Sequence, residues 1–172
     1  MRWPTGSILP LVLLAGIFLT PHADARPRHV PTTPAGIRDA VRREGATRVV
    51  DRLAANNLWF DVVEARIDAA APGWIELAPL LAPGTDAATA EGLGLSLAGA
   101  LPHAPDRVLA VLDLTGASPV LRPATVCSAG FIDVPAAEIA AYRSRTLVAV
   151  RRVRNATLAR ARAACIASLT RG

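Results

Sequence analysis

Only a few residues in this chain have the type and spacing to do chemistry: two cysteines, a few carboxylates, one GxSx(small) pattern and a block of arginines. Cys127 and Cys165 are the only cysteines. They do not form a CxxC pair, and no activating neighbour marks either as a reactive thiol. In an oxidising compartment such a pair joins as a structural disulfide. Closing a loop of about 39 residues stabilises by up to roughly 4 kcal/mol in the chain-entropy model.

Metal chemistry would need clustered His, Cys or carboxylates. Outside the N-terminal leader the histidines are His29 and His103, far apart and without HExxH spacing. Asp61, Glu64 and Asp68 fall on one helical face, but nothing nearby completes an oxygen cage, so they read as a solvated face. Gly94-Leu95-Ser96-Leu97-Ala98 has the outline of a nucleophile elbow, yet that elbow needs a strand before the serine. Here the serine lies inside a helical pattern. Phosphate loops and dinucleotide fingerprints are absent, and Trp59, Phe60 and Trp74 sit where packing accounts for them. No cofactor, no metal and no nucleic-acid partner is expected, and the chain does not read as an enzyme.

The remaining feature is electrostatic. All 19 basic residues are arginine. Residues 26–52 hold seven Arg against three acids, residues 53–133 three Arg against nine, and residues 134–172 eight Arg against Glu138 alone. Arg143, Arg145, Arg151, Arg152, Arg154, Arg160 and Arg162 form the C-terminal set, which either faces an anionic partner or pairs with the acidic middle of the chain.

These residues must be positioned by helices. Residues 91–114 are the least polar long segment after the leader. Leu93, Leu97, Ala100 and Leu101 recur at helical spacing, and Val108, Val111 and Leu112 resume after the Pro102 and Pro105 turn. The second of these helices is expected to run to about Leu114. Thr33-Pro34 reads as a cap and first helical residue, with Ile37, Ala40 and Val41 on one stripe, and Gly45 as a stop or kink. Asn56 or Asn57 would cap a helix with Leu58, Val62, Ala65 and Ala69 inside. Residues 74–81 form a short helix interrupted by Pro79. Ile139, Tyr142, Thr146, Val150 and Val153 share a face near the end of the chain, as do Leu158, Ala161, Cys165 and Leu169. No sustained strand alternation occurs. The expected fold is all-α: a compact array of antiparallel helical hairpins, solenoid-like or an irregular bundle, with one disulfide.

Residues 1–25 read as a secretory signal peptide, with Arg2, an apolar run over residues 8–19 and Ala23-Asp24-Ala25 as the cleavage site. Residues 26–33 read as a mobile arm and residues 34–172 as one helical domain. No transmembrane segment is expected in the mature chain.

The succession Asn57-Leu58-Trp59, Gly73-Trp74-Ile75-Glu76-Leu77-Ala78, Ala82-Pro83-Gly84-Thr85-Asp86-Ala87, Ala100-Leu101-Pro102, Pro105-Asp106-Arg107-Val108-Leu109, Val126-Cys127 and Ala164-Cys165 resembles a family of small exported all-helical proteobacterial proteins. The similarity spans about residues 45–169, with Pro79 as a departure. The resemblance implies a helical periplasmic protein and brings no activity with it. The expected function is non-enzymatic binding of a cell-envelope protein, in an accessory, inhibitory or immunity-type role. The alternative is binding of envelope anions, lipopolysaccharide or anionic lipid, through the C-terminal arginines.

Overall fold

The structure, a computed structural model, describes residues 30–128 and 133–171. The expected leader, and residues 26–29 of the expected arm including His29, lie outside the described residues. Val30, within that arm, is half-buried and packs against the core.

Among the described residues the regular structure is entirely helical. α1 (Pro34–Glu44) starts as the sequence predicts: the Thr33 side chain accepts the Gly36 N–H and Pro34 opens the first turn. Gly45, at φ 84°, breaks it from α2 (Ala46–Ala55), a backbone region that side chains resist. Across this elbow Arg52 grips Glu44 with two hydrogen bonds of 2.6 and 3.3 Å.

The next segment departs from the expected register. Trp59–Glu64 is wound as a π-helix before α3 (Ala65–Asp68). The buried stripe is Trp59, Val63 and Ile67, while Leu58 and Val62 are half-buried and Ala65 and Ala69 exposed. The offset of one residue is already present at Leu58 against Trp59, and it widens to two between Ala65 and Ile67, where the π-winding carries more residues per turn than a period of 3.6 allows.

Residues 75–84 are three short pieces, the 3-10 turn Ile75–Leu77, α4 (Ala78–Leu81) and the 3-10 turn Ala82–Gly84. Pro79 falls in the first turn of α4, where its missing N–H costs no helical bond. Asp86 then caps α5 (Ala87–Ala100) through a capping box with Thr89, at 2.9 Å in each direction.

α5 is the centre of the molecule. It packs against α3 and the π-helical stretch on one side and against α7 (Pro123–Val126) and the turn Pro119–Leu121 on another. This surround explains why its apolar residues are not confined to one stripe. Leu93, Leu97 and Leu101 are fully buried, each worth about 1.5–3 kcal/mol of transfer free energy. α6 (Pro105–Val111) is shorter than expected. It stops at Val111 because Leu112 turns extended and the Asp113 N–H pairs with the Leu121 carbonyl instead of a helical one. Arg107 of α6 ties this helix to the turn after α3. It holds Glu76 at 2.7 and 2.9 Å and donates to the Ala70 and Ala71 carbonyls at 2.8 and 3.0 Å.

α8 (Ala136–Arg152) and α9 (Ala159–Arg171) pack against each other, and α9 also lies on α6 and α7. Tyr142, Thr146, Val150 and Val153 are buried, as are Ala161, Cys165 and Leu169. Cys127 and Cys165 form the expected disulfide, Cα to Cα 5.3 Å, fastening α7 to α9. No described helix is long and apolar enough to cross a membrane.

Candidate functional site

The C-terminal arginines divide into two groups. Arg145, Val148 and Arg152 lie at i, i+3 and i+7 on α8, a spacing that puts them on one face, and Val148 is 46% exposed there. Arg151 and Arg152 end α8, Arg154 lies in the connection, and Arg160 and Arg162 sit in the first turn of α9. All five are therefore within about one turn of a single corner. Arg162 faces inward and donates to the Val153 carbonyl, closing that corner. Arg143 is half-buried with its Nε unsatisfied and stands apart.

The guanidinium groups of Arg145, Arg151, Arg152, Arg154 and Arg160 make no hydrogen bond or ion pair with a described residue. The ion pairs among the described residues join Arg42 to Asp39, Arg52 to Glu44 and Arg107 to Glu76. Among the described residues these arginines therefore form no ion pair with the acidic middle of the chain. α9 moreover has no acid in its first turn, so Arg160 and Arg162 stand at the positive end of its dipole, an arrangement that costs stability locally.

The other sequence candidates are accounted for structurally. The Ser96 hydroxyl is buried in mid-helix and donates to the Gly92 carbonyl at 2.8 Å. His103 is exposed in the turn after α5. No group of three or more His, Cys, Asp or Glu is placed to hold a metal among the described residues.

The carboxylates Asp61, Glu64 and Asp68 do not form one solvated face. Asp61 and Asp68 are exposed, while Glu64 is half-buried and its carboxylate lies against Gly92 of α5, as the Asp68 carboxylate lies against Gly99. Burial pushes the Glu64 carboxyl above its ordinary range, opposed by the Trp59 indole N–H across the π-turn. Neither Glu64 Oε1 nor Trp59 Nε1 reaches a hydrogen bond of normal geometry. At the residue before Gly99 in α5, the Tyr142 hydroxyl donates to the Ala98 carbonyl at 2.8 Å, and burial reinforced by the Asp68 charge pushes the phenol to about 12.

A cleft of about 430 Å³ escaped the sequence reading. It opens between the loop from Asp113 to Gly116, the start of α7 and the α9 face carrying Ala164, Ala167, Ser168 and Arg171. The loop is built on Asp113, whose carboxylate accepts the N–H groups of Thr115 (2.8 Å), Gly116 (3.2 Å) and Ser118 (2.5 Å) and the Thr115 hydroxyl (2.6 Å). These donors, the Thr115 hydroxyl foremost, hold the carboxyl down to about 2. Arg122 and Arg171 flank the opening. Their separation in sequence leaves no local motif, and only the disulfide beside them hinted that α7 and α9 meet.

Comparison with protein-family models, with curated proteins and with solved structures gives no match.

Proposed function

We propose that the protein is an exported periplasmic module that binds another protein of the cell envelope, without enzymatic activity of its own, in an accessory, inhibitory or immunity-type role. The docking surface is the α8–α9 corner with the outward face of α8. The observation that carries this reading is the set of exposed arginines on and beside the α8 face of Val148 that form no ion pair with a described residue. An exposed apolar side chain flanked on its helix by Arg145, Arg151 and Arg152 is the make-up of an interface centre, and it fits an acidic face with an apolar spot. Export is supported by the leader pattern of residues 1–25 and by the disulfide. The burial of Ser96 in mid-helix and the exposure of His103 in a turn support a binding rather than a hydrolytic role.

The same arginines favour a second reading, attachment to lipopolysaccharide or anionic lipid. Two variants separate the readings. Arg151→Gln/Arg152→Gln/Arg154→Gln weakens both kinds of binding. Val148→Ser weakens a protein interface but leaves charge-driven vesicle binding unchanged. The measurement is capture of partners from a native periplasmic fraction alongside co-sedimentation with anionic vesicles, each at 0.05 and about 0.5 M salt, where screening shortens to about 4 Å. The protein-binding reading requires a captured partner that is lost with Val148→Ser and competes directly with the purified module. Vesicle binding lost with the arginines and kept with Val148→Ser would transfer the function to the second reading.

A further inference from the structure

We propose that the cleft between α7 and α9 binds a small monoanionic carboxylate with an apolar body, a medium-chain or aryl carboxylic acid. Its carboxylate would pair with Arg122 and Arg171, and its body would lie on Pro123, Ala124, Ala164 and Ala167.

The cleft is held open from three directions. The Cys127–Cys165 disulfide fixes α7 to α9 one turn from Ala124 and next to Ala164. The Asp113 carboxylate fixes the loop through its four donors. Arg122 Nη2 ties that loop to α7 by donating to the Gly116 carbonyl at 2.9 Å. An open cleft whose walls are fixed in this way loses little entropy when it is filled.

Its chemistry is divided. Alanines and Pro123 make a shallow apolar floor, Leu114, 39% exposed, stands on the rim, and the cationic groups are at the mouth. Arg122 and Arg171 each commit one Nη2 internally, Arg122 to Gly116 and Arg171 to the Ser168 hydroxyl at 3.2 Å. Their remaining N–H groups form no other hydrogen bond with a described residue, and guanidinium recognises a planar carboxylate with two such groups at once. Asp113 sets the charge of the ligand. Two guanidiniums against one carboxylate leave a single net positive charge, which suits a monoanion better than a phosphate monoester. Size gives the remaining limit. The volume of about 430 Å³ lies in the lower part of the range for ligand cavities, and a second depression of about 210 Å³, sharing Ala124, Ser168 and Arg171, extends it lengthwise. A slim, elongated body fits that shape.

The test is calorimetric titration of the full oxidised protein with octanoate, octanol and octyl phosphate, with folding followed by circular dichroism. Octanoate is expected to bind at one saturable site with Kd below about 1 mM. Octanol should bind at least about tenfold more weakly, and Arg171→Gln should cost octanoate about tenfold, the loss of one charge-assisted pair. Ala167→Leu, which fills the floor, should weaken it further, whereas Arg151→Gln/Arg152→Gln should leave it unchanged. Arg171 is exposed in the last turn of α9, so its variant decides the matter should Ala167→Leu fail to fold. The proposal is overturned by equal binding of octanol, by tighter binding of octyl phosphate, or by folded Arg122→Gln and Arg171→Gln proteins that keep full affinity. Absence of saturable binding of octanoate up to about 10 mM, including the case in which only a peptide with a free C-terminus binds, overturns it as well. Because the corner and the cleft use different arginines, either reading can fail without the other.

Discussion

Replacing Gly84 with alanine tests a close approach of backbone to backbone between a turn and α2. Gly84 is buried in the turn Ala82–Gly84, against the start of α2. A Cβ there would stand 2.5 Å from the Thr47 nitrogen and 2.7 Å from the Ala46 carbonyl oxygen. Ordinary contact begins near about 3.5 Å, so α2 would have to withdraw by roughly 1 Å from a region that interdigitates tightly. Gly84 does not have a positive φ, so backbone preference alone predicts that alanine stabilises by about 0.4–1 kcal/mol through the unfolded state. Overpacking of this kind costs about 1–3 kcal/mol, and a backbone neighbour that cannot rotate away places the site at the upper end. The net expectation is a loss of about 2 kcal/mol, a fall in Tm of roughly 4–8 °C for a domain of this size, read by thermal and urea denaturation. Gly99→Ala is the control. Its Cβ would meet only the tip of the exposed Asp68 side chain, which can swing into solvent. The helical gain of up to about 1 kcal/mol over glycine should leave that variant neutral or more stable. A Gly84→Ala protein as stable as the unmodified one would refute the close approach of α2 to this turn.

Three further perturbations follow from the fold. Cys127→Ser/Cys165→Ser should lose up to about 4 kcal/mol of stability, and peptide mapping without reductant should recover the two cysteines as one linked pair. Arg107→Gln removes the grip on Glu76 and on two carbonyls and should cost about 2 kcal/mol, with Glu76→Gln costing less because the carbonyl contacts remain. Glu64 and Asp113 should respond to pH with opposite signs. The Glu64 carboxyl is raised in the fold, so its penalty is absent below about 4.5 and grows as pH rises through the folded value. Glu64→Gln should therefore stabilise at pH 7 and change little near pH 3.5. Asp113 is lowered to about 2, so its contribution is present above about 3.9 and lost on acidification toward 2. Asp113→Asn should flatten that acid limb in denaturation measured across the range.

How far the sequence could be read depended on whether the controlling interaction was local. Thr33-Pro34 and Gly45 carry their own start and stop chemistry, and each helix boundary there is where those residues put it. The buried face of α8 and the Cys127–Cys165 bond were legible for the same reason: one follows from period, the other from having a single possible partner. The Trp59–Glu64 stretch was not legible: it packs against α5, with the Glu64 carboxylate against Gly92, and that contact lies beyond a window of local pattern. Nor was the end of α6, which the Leu121 carbonyl decides from the other side of a loop. The site divided likewise. The arginine block is visible as composition, but its gathering at one corner needs the α8–α9 turn, and the cleft needs the contact of α7 with α9.

The corner contains no lysine and no histidine. A guanidinium stays protonated at every pH a cell meets, so the arginines of this corner have the same charge in acidic surroundings as in neutral ones. Within residues 151–162 no side chain but arginine is charged, so at the corner itself only the partner can titrate. The pH at which a complex formed here comes apart therefore reports the acidity of whatever group the partner presents, near 4 for a carboxylate and near 6 for the second ionisation of a phosphate. The protein thus acts as a fixed reference charge against which an unidentified ligand can be classified before it is isolated.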